Sequence, residues 1–284
     1  MKRLIFSLSF SFFALISDAQ NSLNLNLFLG TSNYSGDLQD KRFAFSQSHL
    51  AGGLGLSYEI TNHFSVRAAF KIGKISADDK LGRNKERNLN FSSQITEGAL
   101  DLQYLITPLG AHVLTPYVFA GVAVYHYDPY TFDSSGRKYY LKPMSTEGEG
   151  FIAGRKNYSL TQFAIPFGAG VKMPLSENIN VGLEVGYRKI FTDYLDDVSK
   201  TYVDPNLLLV NRGAKAVELS YRGDELKTGS QIYPTGGQRG NPKYNDWYYF
   251  TGLTLSFRLG NSLFGNGGGG GGKNKEWDCP KNVL

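Results

Sequence analysis

The chain has 284 residues, with 33 Gly, 18 Tyr, 19 Phe, a single Cys and a formal net charge of +5. That mixture favours strands and turns over helices. Beyond the first 19 residues no stretch approaches the ~18 consecutive apolar residues of a transmembrane helix, so a helical membrane protein is excluded. The basic excess is small and scattered rather than gathered in a stripe, so no nucleic-acid partner is expected.

Residues 1–19 are predicted to be a signal peptide. Lys2 and Arg3 precede an apolar run over 4–16, and Ser17-Asp18-Ala19 makes a small-x-small cleavage site before Gln20. The first mature segment, 22–30, places Leu23, Leu25, Leu27 and Leu29 on one face and Asn24 and Asn26 on the other, which is the strand period. Residues 50–59 follow with Leu50, Leu54, Leu56 and Tyr58 on one face. Residues 64–75 alternate Phe64, Val66, Ala68, Phe70 and Ile72 against Arg67 and Lys71. Residues 94–106 set Leu100, Leu102, Tyr104 and Ile106 against Glu97, Asp101 and Gln103.

Residues 115–127 carry Val118, Ala120, Val122 and Val124 on one side. Residues 159–173 alternate Phe163, Ile165, Phe167, Val171 and Met173 with Gln162, Gly168, Gly170 and Lys172. Residues 178–187 set Ile179, Val181, Leu183, Val185 and Tyr187 against Asn180, Gly182, Glu184 and Gly186. The last run, 246–259, shows Trp247, Tyr249, Leu253, Leu255, Phe257 and Leu259 against Thr254, Ser256 and Arg258.

Eight runs result, and their connections alternate. The long ones are 33–49, 77–93, 128–158 and 188–245; the short ones are 60–63, 107–114 and 174–177. The expected fold is therefore all-β, an up-and-down antiparallel barrel of about eight strands over residues 20–259, with long external loops and short periplasmic turns. A soluble eight-stranded barrel alternates too. Two features favour the membrane version. The inner faces carry charged or amide residues that suit a wet lumen, and tyrosines (Tyr58, Tyr104, Tyr117, Tyr125, Tyr127, Tyr187, Tyr248, Tyr249) crowd the strand ends, where an aromatic girdle is expected. The expected location is the outer membrane, with membrane lipid as the surrounding partner. Residues 260–284, which include six consecutive glycines, would then form a flexible tail in the periplasm.

Several loop motifs stand out: SNYSGDL at 32–38, TEGEG at 146–150, IPFGAGVK at 165–172, and EVGYRKIFTDYLDDVSKTY at 184–202. Together they resemble the PorG-type outer-membrane proteins of the type IX (Por) secretion system of Bacteroidetes, over most of 22–259. The YRKIFTDYLDDVSKTY segment is the most specific part. The resemblance implies an integral, non-enzymatic barrel, associated with a periplasmic ring built from a lipoprotein and its partner protein. It implies an anchor or organiser rather than the conducting channel, in keeping with a barrel whose interior is only wide enough for its own side chains.

Asp193, Asp196 and Asp197, with Asp204 nearby, could offer oxygen ligands to a hard cation. They lack the Asp-x-Asp-x-Asp-Gly spacing and closing Glu of a calcium loop, so no metal is expected. The better reading is a brace, with these carboxylates holding the large loop against Arg188 and Lys189 or against lumen charges, and Tyr194 and Tyr202 packing it onto the barrel mouth.

His49, His63, His112 and His126 fall on different connections or strand ends, and His126 with a nearby serine is the one nameable catalytic pair. No enzyme, cofactor or small-molecule substrate is expected. The alternatives are a small stand-alone porin or ligand-binding barrel and, less favoured, an outer-leaflet lipid hydrolase. An Arg222-Gly-Asp224 tripeptide and three glycosylation-type sequons are short enough to arise by chance. A short helix is predicted within 213–225, with Ala216, Leu219 and Tyr221 partly buried.

An unpaired cysteine in a secreted chain points to an intermolecular partner or a reactive thiol. The glycine-rich spacer before Cys279 reaches roughly 22–26 Å as a random coil. Trp277 beside it is an aromatic of the type that anchors interfaces. An intermolecular disulfide from Cys279 to a periplasmic component is therefore expected, with the ring lipoprotein implied by the resemblance as the partner.

Overall fold

The computed structural model describes residues 22–39, 45–227 and 229–259. The expected signal peptide and the tail carrying Trp277 and Cys279 lie outside the described residues.

Eight long strands close on themselves: β1 (Leu23–Ser35), β2 (His49–Glu59), β3 (Phe64–Asp78), β4 (Asn90–Leu105), β5 (Thr115–His126), β8 (Thr161–Ser176), β9 (Ile179–Ile190) and β10 (Trp247–Arg258). Each pairs antiparallel with its neighbour in sequence, and β1 pairs with β10 to seal the cylinder, with Asn24 opposite Arg258 and Ser35 opposite Trp247. Closure leaves the barrel without a free edge. Two short strands, β6 (Tyr130–Phe132) and β7 (Lys138–Tyr140), were not foreseen. They form a hairpin above the barrel wall, joined to β4 through Ser92 and Tyr130. The fourth long loop holds two helices, α1 (Pro205–Arg212) and α2 (Ala214–Ser220). The helix predicted in 213–225 is α2, with Ala216 and Leu219 buried. The first helix, capped by the Asp204 side chain on the Asn206 amide, was missed.

Every barrel strand presents a large apolar side chain outward: Leu29, Leu54, Phe70, Leu100, Val122, Phe163, Leu183 and Leu253, each 49–70% exposed. A continuous apolar ring of this kind is far more than a soluble surface carries, and lipid is the solvent that suits it. The alternation read from sequence thus holds strand by strand.

Three expectations are corrected. β1 runs on to Ser35, and β3 and β4 stay paired up to Asp78 and Asn90, so the ends of the expected loops 33–49 and 77–93 are strand. Ladder hydrogen bonds do not depend on side chains, and the inward residues there (Tyr34, Ile75, Ala77, Phe91) are buried under the external loops. Second, Tyr117, Tyr125, Tyr127 and Tyr248 belong to no girdle, since all four are fully buried inside the barrel. Third, the lumen is not wet in its middle, because its charged side chains are paired and buried.

The interior therefore has two storeys. The lower one, level with the apolar ring, is charged. The upper one is an apolar core of Tyr34, Ile75, Phe91, Ile95, Tyr125, Tyr127, Ile190, Leu195, Val198 and neighbours, roofed by the long loops.

Candidate functional site

The lower storey is a chain of ion pairs crossing the barrel from wall to wall. On β3, Arg67 lies opposite Asp101 of β4 in the ladder and bonds it at 2.8 Å, while its other nitrogen reaches Glu184 of β9 at 2.5 Å. Lys71, two inward positions higher on β3, bonds the same Glu184 at 2.8 Å, and the Tyr117 hydroxyl donates to that carboxylate at 2.8 Å. Above them Arg188 grips Glu97 with two nitrogens, each at 2.8 Å, and the Tyr248 hydroxyl donates to that carboxylate at 2.8 Å. Aromatic faces complete the sheath. The Arg67 guanidinium lies 5.0 Å from the Phe119 centroid, Lys71 lies 4.4 Å from Phe28 and Arg188 lies 4.6 Å from Phe250.

Space for this filling comes from small residues. Gly168 and Gly186 face each other across β8 and β9, and a methyl on either would come within 2.8 Å of the Phe119 ring. Below the ion pairs a cavity of about 90 Å³ opens among Asn24, Glu59, Lys172 and Arg258, at the end where the short turns lie.

The upper storey is closed by a cap whose centre is Arg239. Its guanidinium donates to Glu147 at 3.1 Å, to the Asp197 carbonyl at 2.5 Å and to the Ser220 carbonyl at 3.1 Å. The Glu147 carboxylate in turn accepts the amides of Ser199 and Lys200 at 2.9 and 2.8 Å. Asp197, held at a positive φ of 66°, accepts hydroxyls from Thr146 and Tyr158 at 2.6 and 2.7 Å. Tyr34 joins barrel to cap, with its hydroxyl 2.6 Å from Asp196 and 3.0 Å from Asp246. Asp246 also accepts the Leu195 amide at 3.0 Å. A second bridge runs from Arg87, which bonds Asp79 at 2.6 Å and the Asp37 carbonyl at 3.0 Å and contacts the Arg239 carbonyl.

Burial dominates the acid chemistry of this cap. It pushes the Asp193 carboxyl up to about 8 and Glu149, with Asp197 and Glu147 adding to the effect, up to about 8. It pushes Asp197 up to about 6 against the opposing pull of Arg239. Asp196 and Asp246 are raised by burial and then by neighbouring carboxylates, so these acids favour their neutral forms.

The aspartates therefore do not brace against Arg188 or Lys189. Arg188 points into the lumen and is committed to Glu97. Lys189 faces outward, exposed, in register with Trp247 and Ile165. Asp193 is buried beside Ser199, and Tyr194 stacks on Tyr158 at 5.0 Å, which itself stacks on Tyr127 of the barrel mouth at 6.3 Å. Tyr202 packs edge-on to Tyr221 at 5.7 Å within the cap. Among the described residues, no group of three or more His, Cys, Asp or Glu side chains converges as a metal-binding set.

The histidine pair named from sequence also shifts. His126 Nδ1 lies 2.9 Å from the Thr161 hydroxyl, not a serine. His49 Nε2 lies 2.6 Å from Ser76 Oγ, a contact that depended on strand register and so had no local signal. Arg222 of the Arg-Gly-Asp tripeptide is buried and paired with Glu225 at 2.7 Å. Sequence reasoning missed Arg239, Glu147, Tyr34, Tyr158 and Asp246. Tyr34 lies in SNYSGDL and Glu147 in TEGEG, polar loop motifs that meet FTDYLDDV here, whereas Tyr158, Arg239 and Asp246 lie in none of the three.

A closed eight-strand meander, apolar outside and ion-paired within, with long loops at one end and short turns at the other, is a transmembrane β-barrel of the outer-membrane kind. The chain belongs to the family described as domain of unknown function DUF6089, whose model matches residues 2–207. No curated protein matches the sequence. Among solved structures, it is similar to Neisserial surface protein A at 8% identity and a TM-score of 0.42, covering 84% of this chain and 97% of that one. It is similar to the outer membrane protein OprG from Pseudomonas aeruginosa at 14% identity and a TM-score of 0.39, covering 84% and 98%. The attachment invasion locus protein Ail of Yersinia pestis is similar at 8% identity and a TM-score of 0.39, covering 84% and 99%.

Proposed function

We propose that this protein is an integral outer-membrane component of the type IX secretion machinery that anchors or organises its periplasmic ring, without a catalytic step. The observation that carries the reading is the filled barrel. Arg67, Lys71, Glu97, Asp101, Glu184 and Arg188 occupy the lumen with one another, so the barrel is a solid body in the membrane rather than a conduit. The convergence of SNYSGDL, TEGEG and FTDYLDDV on one cap supports it further, because these are the motifs on which the resemblance to PorG-type proteins rests.

In this reading the short-turn end faces the periplasm. Leu259 leaves the barrel there, its amide bonded to the Leu23 carbonyl at 2.8 Å. The tail 260–284 continues into the periplasm and fastens to the ring lipoprotein through a Cys279 disulfide, with Trp277 as an adjoining contact. Crosslinking in intact membranes, followed by affinity capture and mass spectrometry, should recover the lipoprotein and its partner protein; recovery of neither would overturn the secretion role. In planar bilayers the protein should be electrically silent, whereas a steady open pore would favour the stand-alone porin. On non-reducing gels the wild-type chain should run as a high-mass adduct that Cys279→Ser lacks, and a monomer in both lanes would remove the disulfide.

A further inference from the structure

The β6–β7 hairpin does not lie over the lumen. It stands beside the outer wall and encloses, with β1 to β5, a groove of about 630 Å³. The floor and the rim of this groove differ in chemistry. Its lower part is the apolar ring, through Leu29, Leu50 and Ile72, with Leu50 76% exposed. Its upper part holds two lysines around one aromatic ring. Lys138 Nζ lies 3.7 Å from the Tyr130 centroid and 3.0 Å from the Tyr140 hydroxyl, and Lys74 Nζ approaches the same Tyr130 ring at 5.9 Å from the barrel side. Neither amine is in ion-pair contact with a carboxylate among the described residues. Asp128 is the one acid among the lining residues, set against Lys74, Lys138 and His126.

An apolar floor that turns cationic and aromatic at the height where the membrane meets water matches an anionic amphiphile. Lysine binds phosphate as a point charge, and the tyrosines hold the ammonium groups in place without neutralising them. We propose that this groove seats one phosphorylated lipid of the outer leaflet, its phosphate between Lys74 and Lys138 and an acyl chain along Leu29, Leu50 and Ile72. The inference rests on the membrane-barrel reading with the long loops outward and is independent of the secretion role.

The test is native mass spectrometry of the full chain in detergent, titrated with bisphosphorylated lipid A or with the same lipid stripped of its phosphates. Wild type should retain one phosphorylated lipid and release the stripped one. Lys74→Gln with Lys138→Gln should lower retention by about 10- to 30-fold. Lys189→Gln, at the outer rim on β9 away from the groove, should leave it unchanged. Equal retention of the two lipids by wild type would overturn the proposal without recourse to any variant. Undiminished retention by the double variant, shown to be folded by its heat-dependent gel mobility, or an equal loss with Lys189→Gln, would also overturn it. Loss of the secretion partners in the crosslinking experiment bears on none of these outcomes.

Discussion

Arg188 shows what one inward-facing side chain does in a barrel this narrow. Among the described residues it is the largest fully buried side chain, bonded by two nitrogens to Glu97, by a third to the Gly186 carbonyl at 2.6 Å, and set over the Phe250 ring. Removing it strands the Glu97 carboxylate in a desolvated interior, so Arg188→Ala should cost about 3–5 kcal/mol. The measurement is the urea midpoint of the heat-dependent gel shift in lipid vesicles. Gly186→Ala places a methyl 2.6 Å from an Arg188 nitrogen and 2.8 Å from Phe119, and by the same assay should cost about 1–3 kcal/mol. Strand parity alone puts Arg188 in the lumen with Glu184, and puts Tyr117, Tyr125 and Tyr248 opposite the lipid-facing valines and leucines. The partner was not legible, because Glu97 is 91 residues away and no local period encodes a contact across a lumen.

The cap and the strands below it differ in how they are specified. The strands follow a period of two that survives any loop length, which is why their lipid-facing residues could be read one by one. Their upper ends could not, since Ser76, Asp78, Asn90 and Ser92 are polar on the outer face and break the apolar pattern while the ladder continues. The cap has no period and is held by single contacts between distant loops. Its acids give it a pH dependence with a definite sign. Carboxyls such as Asp193 and Glu149, at about 8 when folded and near 4 when exposed, bind more protons in the closed cap over that interval. Their contribution to cap stability is therefore fully present only below about pH 4 and declines as pH rises from there to about 8. Hydrogen-exchange protection of 191–203, corrected for intrinsic rates, should fall between pH 6 and pH 8.5, and Asp193→Asn should flatten that fall. Protection that rises with pH would contradict the assignment.

At the scale of the whole molecule, two closures lie in series, the ion-paired lumen and the roof. They are separable by experiment. Replacing 193–245 with a short Gly-Ser linker uncovers Phe91, Ile95 and Ile190 at the mouth and should lower the unfolding midpoint, yet the barrel should stay non-conducting because the layers of Arg67, Glu184 and Arg188 remain. Current steps in that variant would assign the seal to the cap instead. The seam between β1 and β10 carries a different consequence, one of timing. Residue 24 meets residue 258, so the cylinder cannot shut until nearly the whole chain exists, and the long separation makes that last pairing slow. Until then the leucines that will face lipid have neither lipid nor partner strand. The protein must cross the periplasm as an open, sticky ribbon, which makes it an obligatory client of whatever escorts unfolded chains to the membrane.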